Sequence, residues 1–221
     1  MSIIENEKIY ILISYLIGSI PMGFIVARIY GKNILDIGWR KTSGSNVFRN
    51  VGKAQGVLTA FLDGLKAYLT VYFAQKLGFS TEIQVLSGVA TVIGNNWSLF
   101  LGFAGGRGIG AYVGALIALN YKFLLFTLPQ FLLLALIWQS PLTTLVYLLN
   151  SIIFSIYTND FKVVGIFTLL CLIPLLLKRL SPFKELSFKN KDLIRNRLVF
   201  DNDLPQWDFK LKGLFDKLTK K

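Results

Sequence analysis

The chain has 221 residues, is 53% hydrophobic, and sets 24 Lys/Arg against 12 Asp/Glu for a formal net charge of +12, with no histidine. A mean hydropathy of +0.55 excludes an ordinary soluble domain, which needs far more polar residues to cover its surface. The basic charge lies in one interhelical loop and in the C-terminal stretch from Lys178 onward, without any RNA- or DNA-binding motif, so no nucleic-acid partner is expected.

Glu5, Glu7 and Lys8 precede the first apolar run, where a signal peptide would carry net positive charge. No small-residue cleavage site follows, so the first span is expected to stay in the mature protein. The apolar runs are 9–30, 55–75, 83–101, 109–120, 123–138, 141–157 and 162–177. The first three have ordinary length for crossing about 30 Å of hydrocarbon, the fourth is short, and the last three are on the short side. Lys122 and Pro129 interrupt 109–138, which reads as two helices, one long kinked helix being the alternative. The expected fold is all-α: a polytopic membrane helix bundle of about seven transmembrane helices. It occupies residues 1–177, with 178–221 as a basic cytoplasmic tail. In that tail Trp207, Phe209, Leu211, Leu214, Phe215 and Leu218 stand among basic residues, a pattern for a short amphipathic helix lying on the membrane.

Orientation follows from charge. Loop 31–53 carries Lys32, Arg40, Lys41, Arg49 and Lys53 against the single acid Asp36, while 76–82 and 158–161 carry little positive charge. Placing loop 31–53 and the tail in the cytoplasm leaves the N-terminus outside, which requires an odd number of spans. The glycine-rich loop 102–108 then falls on the same cytoplasmic face as loop 31–53.

Both loops have the residue types that bind phosphate. Gly38-Trp39-Arg40-Lys41-Thr42-Ser43-Gly44-Ser45-Asn46-Val47-Phe48-Arg49 combines glycines, hydroxyls and guanidiniums. Backbone N–H groups in such a turn can surround phosphate oxygens, and Arg adds paired donors; a solvated positive-inside loop would look similar. Gly102-Phe103-Ala104-Gly105-Gly106-Arg107-Gly108-Ile109-Gly110 immediately precedes an apolar helix. That offers unsatisfied N–H groups at a positive dipole end, or else a hinge between two spans. Asp63 and Lys66, three apart in the second span, share a helical face. They are expected to point into the bundle as an ion pair fixing the packing, with direct substrate contact as the alternative. Asn95 and Asn96 in the third span are expected to bond between helices.

Other chemistries are excluded. Without histidine there is no Ser-His-Asp or Cys-His arrangement. No Walker A loop, dinucleotide fingerprint or dense carboxylate cluster is present, so no metal and no cofactor are expected. The lone cysteine, Cys171, sits in an apolar run and reads as a small buried hydrophobe.

Four stretches, in order, resemble the bacterial acyl-phosphate:glycerol-3-phosphate acyltransferases, small seven-helix membrane enzymes. They are Gly18-Ser19-Ile20-Pro21-Met22-Gly23; Ser43-Gly44-Ser45-Asn46-Val47-Phe48-Arg49 with Gly52-Lys53-Ala54-Gln55-Gly56; Leu62-Asp63-Gly64-Leu65-Lys66; and Gly94-Asn95 through Phe100-Leu101-Gly102-Phe103-Ala104-Gly105-Gly106-Arg107-Gly108. The resemblance implies transfer of a fatty acyl group from acyl phosphate to glycerol 3-phosphate, giving lysophosphatidic acid at a cell membrane. By that likeness Ser43, Arg49 and Arg107 are the catalytic candidates. Lys41, Gly44, Ser45, Asn46, Gly105, Gly106 and Gly108 would bind substrate phosphate, and Asn95, Asp63 and Lys66 would support them. In the family's pattern Asn95 replaces a histidine and Arg107 a lysine, the first loop is about three residues shorter, and no late His-Arg-x-Asn motif is found. Lys178-Arg179-Leu180 only echoes that motif, and 191–206 looks like an extension. Two other readings follow from these departures and from the polar groups within the spans: a same-fold relative with a changed acceptor or donor, and a non-enzymatic lipid-binding or transport protein.

Overall fold

A computed structural model describes residues 3–123, 125, 129, 130, 133, 140–185 and 190–204. Every regular element among the described residues is helical: α1 (Ile3–Ser19), α2 (Met22–Ile29), α3 (Gly44–Asn50), α4 (Lys53–Lys76), α5 (Thr81–Asn96), α6 (Ile109–Leu119), α7 (Ser140–Tyr157), α8 (Ile166–Leu180) and α9 (Lys191–Phe200). Three stretches, Glu5–Ile29, Lys53–Lys76 and Phe161–Leu180, are long and apolar enough to cross a membrane, and Ile109–Leu119 and Pro141–Tyr157 are shorter apolar helices. Five of the expected spans overlap these stretches and the run 83–101 overlaps α5, while 123–138 lies largely outside the described residues, as does the amphipathic pattern from Trp207 to Leu218.

Helix α4 shows what solvent the molecule is built for. Thr59, Asp63, Lys66 and Thr70 on one face are buried, while Leu58, Phe61, Leu65, Leu69 and Phe73 are exposed on the other. A helix in water presents the opposite arrangement. Here the apolar stripe faces lipid, and the polar groups, which lipid cannot satisfy, turn inward.

Between such helices the hydrophobic effect gives little drive, so close backbone contact takes over. Glycine makes that approach possible at two crossings. A methyl group on Gly18 of α1 would collide with the Thr91 backbone of α5, and one on Gly94 with the Tyr15 carbonyl; a methyl on Gly114 of α6 would run into the backbone of Gly64 on α4. Deeper in the bundle Tyr112 of α6 stacks on Phe167 of α8 at 5.3 Å, and its hydroxyl pairs with the Thr168 hydroxyl at 2.9 Å. Cys171 is fully buried beside them.

The structure corrects three sequence-based boundaries. The first run, read as one span over 9–30, is broken at Ile20 and Pro21 between α1 and α2; hydropathy registers the run and overlooks the proline, whose ring cannot continue the hydrogen-bond ladder. The third run ends at Asn96, and the apolar residues Leu99–Leu101 form a separate 3₁₀ turn. At the C-terminal end α8 runs through Leu180, so the division at 177/178 falls inside a helix. Lys178 and Arg179 are buried, and α9 packs back onto α7 and α8. The break expected after the fourth run is present: α6 stops at Leu119, Asn120 is extended, and its side-chain carbonyl accepts the Lys122 N–H at 3.1 Å.

Candidate active site

The first basic loop is organised around one side chain. The Asn46 amide donates to the carbonyls of Lys41 at 2.8 Å, Ile37 at 3.2 Å and Ile34 at 3.4 Å. Its side-chain oxygen accepts the Trp39 N–H at 3.2 Å and the Asn50 amide at 2.8 Å. Asn46 is therefore fully occupied inside the loop, where a role in holding phosphate was expected of it: its contribution is to the loop's shape. Trp39 in turn has two guanidiniums over its ring, Arg49 4.6 Å and Arg107 4.3 Å from the centroid, a distance at which the ring face attracts cations.

The glycine-rich loop docks directly against this one. Thr42 donates its N–H to the Gly105 carbonyl at 3.2 Å, and Gly106 donates to the Asn95 carbonyl at 2.9 Å. Two loops separated by some sixty residues of sequence thus meet at one end of the bundle. Gly105 lies so close to the Asn95 and Asn96 carbonyls that a Cβ would collide with them. The N–H of Gly106 is already used, so these two glycines join the loops and offer no free phosphate donor of their own from Gly106. Gly108, at φ +76°, turns the chain into α6.

Below the loops lies the Asp63–Lys66 pair. The Lys66 ammonium is 3.0 Å from the Asp63 carboxylate and donates to Asn95 Oδ1 at 2.8 Å and to the carbonyls of Gly18 at 2.8 Å and Ile20 at 2.7 Å. The Gly18 carbonyl would take the Met22 N–H in an unbroken helix, but Met22 bonds Ile20 instead, at 3.1 Å. Lysine 66 thus fills the gap that the break before Pro21 opens. The ion pair expected from the i,i+3 spacing is present, and it ties α1, α4 and α5 together.

A cavity of about 610 Å³ opens here. Ser43, Ser45, Asn95, Arg107, Lys178 and Arg179 line it, with Asp63 and Gly108. From Gly108 helix α6 leads away from the loops at about 1.5 Å per residue, contributing Val113 and Ile117, while α7 contributes Leu145 and Leu148. The cavity is cationic and hydroxyl-bearing where the loops meet and apolar along the helices.

The polar end holds an acid that the sequence reading missed. The Asp201 carboxylate lies 3.1 Å from Lys41 Nζ and 2.5 Å from Arg107 Nε. Burial pushes the Lys41 ammonium below the usual lysine range, with Asp201 drawing it back upward. Burial also lowers Arg107, again opposed by Asp201, with Arg49 adding repulsion; a guanidinium begins so high that it stays charged. Arg179 is the second unanticipated residue. Its guanidinium donates to the carbonyls of Pro141 and Leu198 at 2.8 and 2.7 Å, clamping α7 to α9. The only signal for either residue was Lys178-Arg179 at the end of an apolar run, since nothing local in Asp201-Asn202-Asp203 announces a return to a loop 160 residues earlier.

Fold and cavity together define a polytopic membrane protein whose pocket suits a molecule with an anionic head and an apolar tail. The glycerol-3-phosphate acyltransferase family model matches residues 8–186, and the chain belongs to that family. Similar proteins include glycerol-3-phosphate acyltransferase of Endomicrobium trichonymphae, 40% identical over 112 residues, 50% of this chain and 56% of the relative. Glycerol-3-phosphate acyltransferase 1 of Deinococcus radiodurans is 42% identical over 110 residues, again 50% and 56%. The alignments thus span little more than half the length of such relatives. In overall fold the chain is similar to two crystal structures of PlsY, an integral membrane glycerol 3-phosphate acyltransferase, one in its glycerol 3-phosphate form and one in its lysophosphatidic acid form. They give TM-scores of 0.71 and 0.72 at 22% and 23% identity, covering 95% of this chain and 99% of the other. The family match stops before α9, so Asp201 lies beyond it.

Proposed function

We propose that this chain transfers a fatty acyl group from acyl phosphate to the sn-1 hydroxyl of glycerol 3-phosphate, forming lysophosphatidic acid. The observation that carries this reading is the cavity, in which cationic, glycine-bordered loops adjoin an apolar channel of a size suited to an acyl chain. The family membership and the glycerol 3-phosphate and lysophosphatidic acid forms of the PlsY fold relative support the same acceptor and product.

The chemistry asks little of the protein beyond placement. Acyl phosphate is a mixed anhydride and already activated. The acceptor hydroxyl attacks the acyl carbon, the new C–O ester bond forms, the bond to the phosphate oxygen breaks, and the hydroxyl proton leaves with inorganic phosphate. Two anions must be held together, and the oxyanion of the tetrahedral intermediate must be stabilised. Arg107, Lys41, the Ser43 and Ser45 hydroxyls and the backbone at Gly44 and Gly108 are the groups assigned to that end. Arg49 acts on it through Trp39. Asp63, Lys66 and Asn95 keep the floor of the pocket rigid. The site faces the cytoplasmic leaflet of the cell membrane, with the N-terminus outside, as the basic loop 31–53 favours.

The test is release of inorganic phosphate from palmitoyl phosphate by purified protein, with and without glycerol 3-phosphate. Release that depends on glycerol 3-phosphate, and that falls about 100-fold in Arg107→Ala, is the expected result. Release indifferent to glycerol 3-phosphate would point to another acceptor, and no release from folded protein would remove the reading.

A further inference from the structure

The place where Lys41 and Arg107 converge is already filled by a group of the same chain. Both oxygens of Asp201 are engaged, one by each cation, and its side chain is 3% exposed. To reach this position the backbone of Asp201 takes φ +51°, ψ +36°, at the C-terminal cap of α9. That left-handed conformation is most often taken by glycine, and aspartate is among the few residues with a Cβ that adopt it at modest cost.

The carboxylate is not alone in holding α9 in place. Arg197 does this on one side, with Nε 2.6 Å from Asp203 and Nη2 2.5 Å from Glu185, and with Nη1 donating to the carbonyls of Leu180 at 3.3 Å and Pro182 at 3.1 Å. Arg179 does it on the other, through Leu198 and Val199. The pairing with Arg107 runs through Nε alone, at 2.5 Å, so it is a single contact and lacks the two-pronged geometry a guanidinium can offer a carboxylate or phosphate. A single negative charge is thus shared by two cations.

Given the reading of this end as the phosphate site, on which the inference rests, we propose that Asp201 is a specificity-determining residue: its carboxylate occupies the position of a substrate phosphoryl group between Lys41 and Arg107. A phosphate binds there by displacing it. The built-in carboxylate sets a threshold. A monoanion gains nothing by replacing another monoanion, whereas a dianionic phosphate brings a second charge and more acceptor oxygens to the two cations. The site therefore selects phosphoryl compounds over carboxylates and halides.

The experiment measures binding of inorganic phosphate to the detergent-solubilised full chain by titration calorimetry, with no acyl transfer needed. Asp201→Asn removes the charge. Asp201→Gly removes it and relaxes the positive-φ backbone, which offsets part of the cost of unpairing two buried cations, and a thermal melt of each variant identifies the folded one used for titration. Both variants are expected to bind phosphate about tenfold more tightly than wild type, and acetate, which does not compete in the wild type, is expected to compete in them. Asp36→Asn removes one negative charge from the exposed part of the first loop, where Asp36 bonds Asn33, and is expected to leave phosphate affinity unchanged. Unchanged or weaker phosphate binding in both folded Asp201 variants would overturn the proposal, as would an equal gain in Asp36→Asn. Loss of this effect alongside intact glycerol 3-phosphate-dependent turnover sinks only the role of Asp201, whereas tighter phosphate binding without turnover sinks only the proposed reaction.

Discussion

Lys66 shows how much one buried side chain can carry in this molecule. Its ammonium joins Asp63 to the carbonyls of Gly18 and Ile20 and to Asn95. Replacing it with methionine leaves a buried carboxylate and two backbone carbonyls without their donor. Lys66→Met is expected to lower unfolding free energy by about 3–5 kcal/mol, measured by denaturant titration in micelles. Adding Asp63→Leu is expected to recover much of that loss, because the remaining cost is mostly the unpaired carboxylate. A loss under about 1 kcal/mol in the single variant would show the pair to be dispensable. The Asp63–Lys66 pair was legible because its partners are three residues apart in a span where charge must find charge. Asn46 was legible only as a polar residue in a basic loop. Its five partners depend on how that loop curls, which no spacing rule encodes. Asp201 was invisible for a related reason, since its partners Lys41 and Arg107 lie far away in sequence.

At the scale of elements the helices were read well and their ends less so. Hydropathy sees α4 whole because the helix is continuous and mostly apolar. It merges α1 with α2 because the break between them is made by Pro21, itself tolerated in an apolar run. It assigns α9 to a loose tail because a short, basic helix has no strong periodic signal; only the Asn190 side chain, accepting the Leu193 N–H at 3.1 Å, marks its start. The docking of α9 rests partly on carboxylates. Hydrogen bonding to Arg197 holds Glu185 and Asp203 below the usual carboxylate range. A carboxylate whose folded-state value is depressed contributes stability above its unfolded value and loses it as pH falls through the folded one. The contact of α9 is therefore expected to hold at pH 6 and to weaken below about pH 4. Hydrogen exchange at 191–204, compared between these conditions, checks it; protection unchanged down to pH 3 would assign the docking to Arg179, the buried Asp201 pairs and apolar packing.

For the molecule as a whole, the inverted face of α4 and the lipid-facing apolar residues on neighbouring helices make the membrane part of the fold. The charge asymmetry makes a directional claim that cysteine labelling can check. Cys171 is buried, so reporter cysteines can be placed on the native background. In sealed right-side-out vesicles, Glu82→Cys is expected to react with an impermeant maleimide and Lys32→Cys to react only after permeabilisation; the reverse pattern would invert the topology. One arrangement near the cavity has an optical consequence. Of the chain's four tryptophans, Trp39 has the guanidiniums of Arg49 and Arg107 over its ring, and that of Arg107 also pairs with Asp201. Indole emission responds to the charges held against the ring. In a variant that keeps Trp39 as its sole tryptophan, the emission is therefore expected to shift as an anion binds at Arg107, a label-free readout of that site's occupancy.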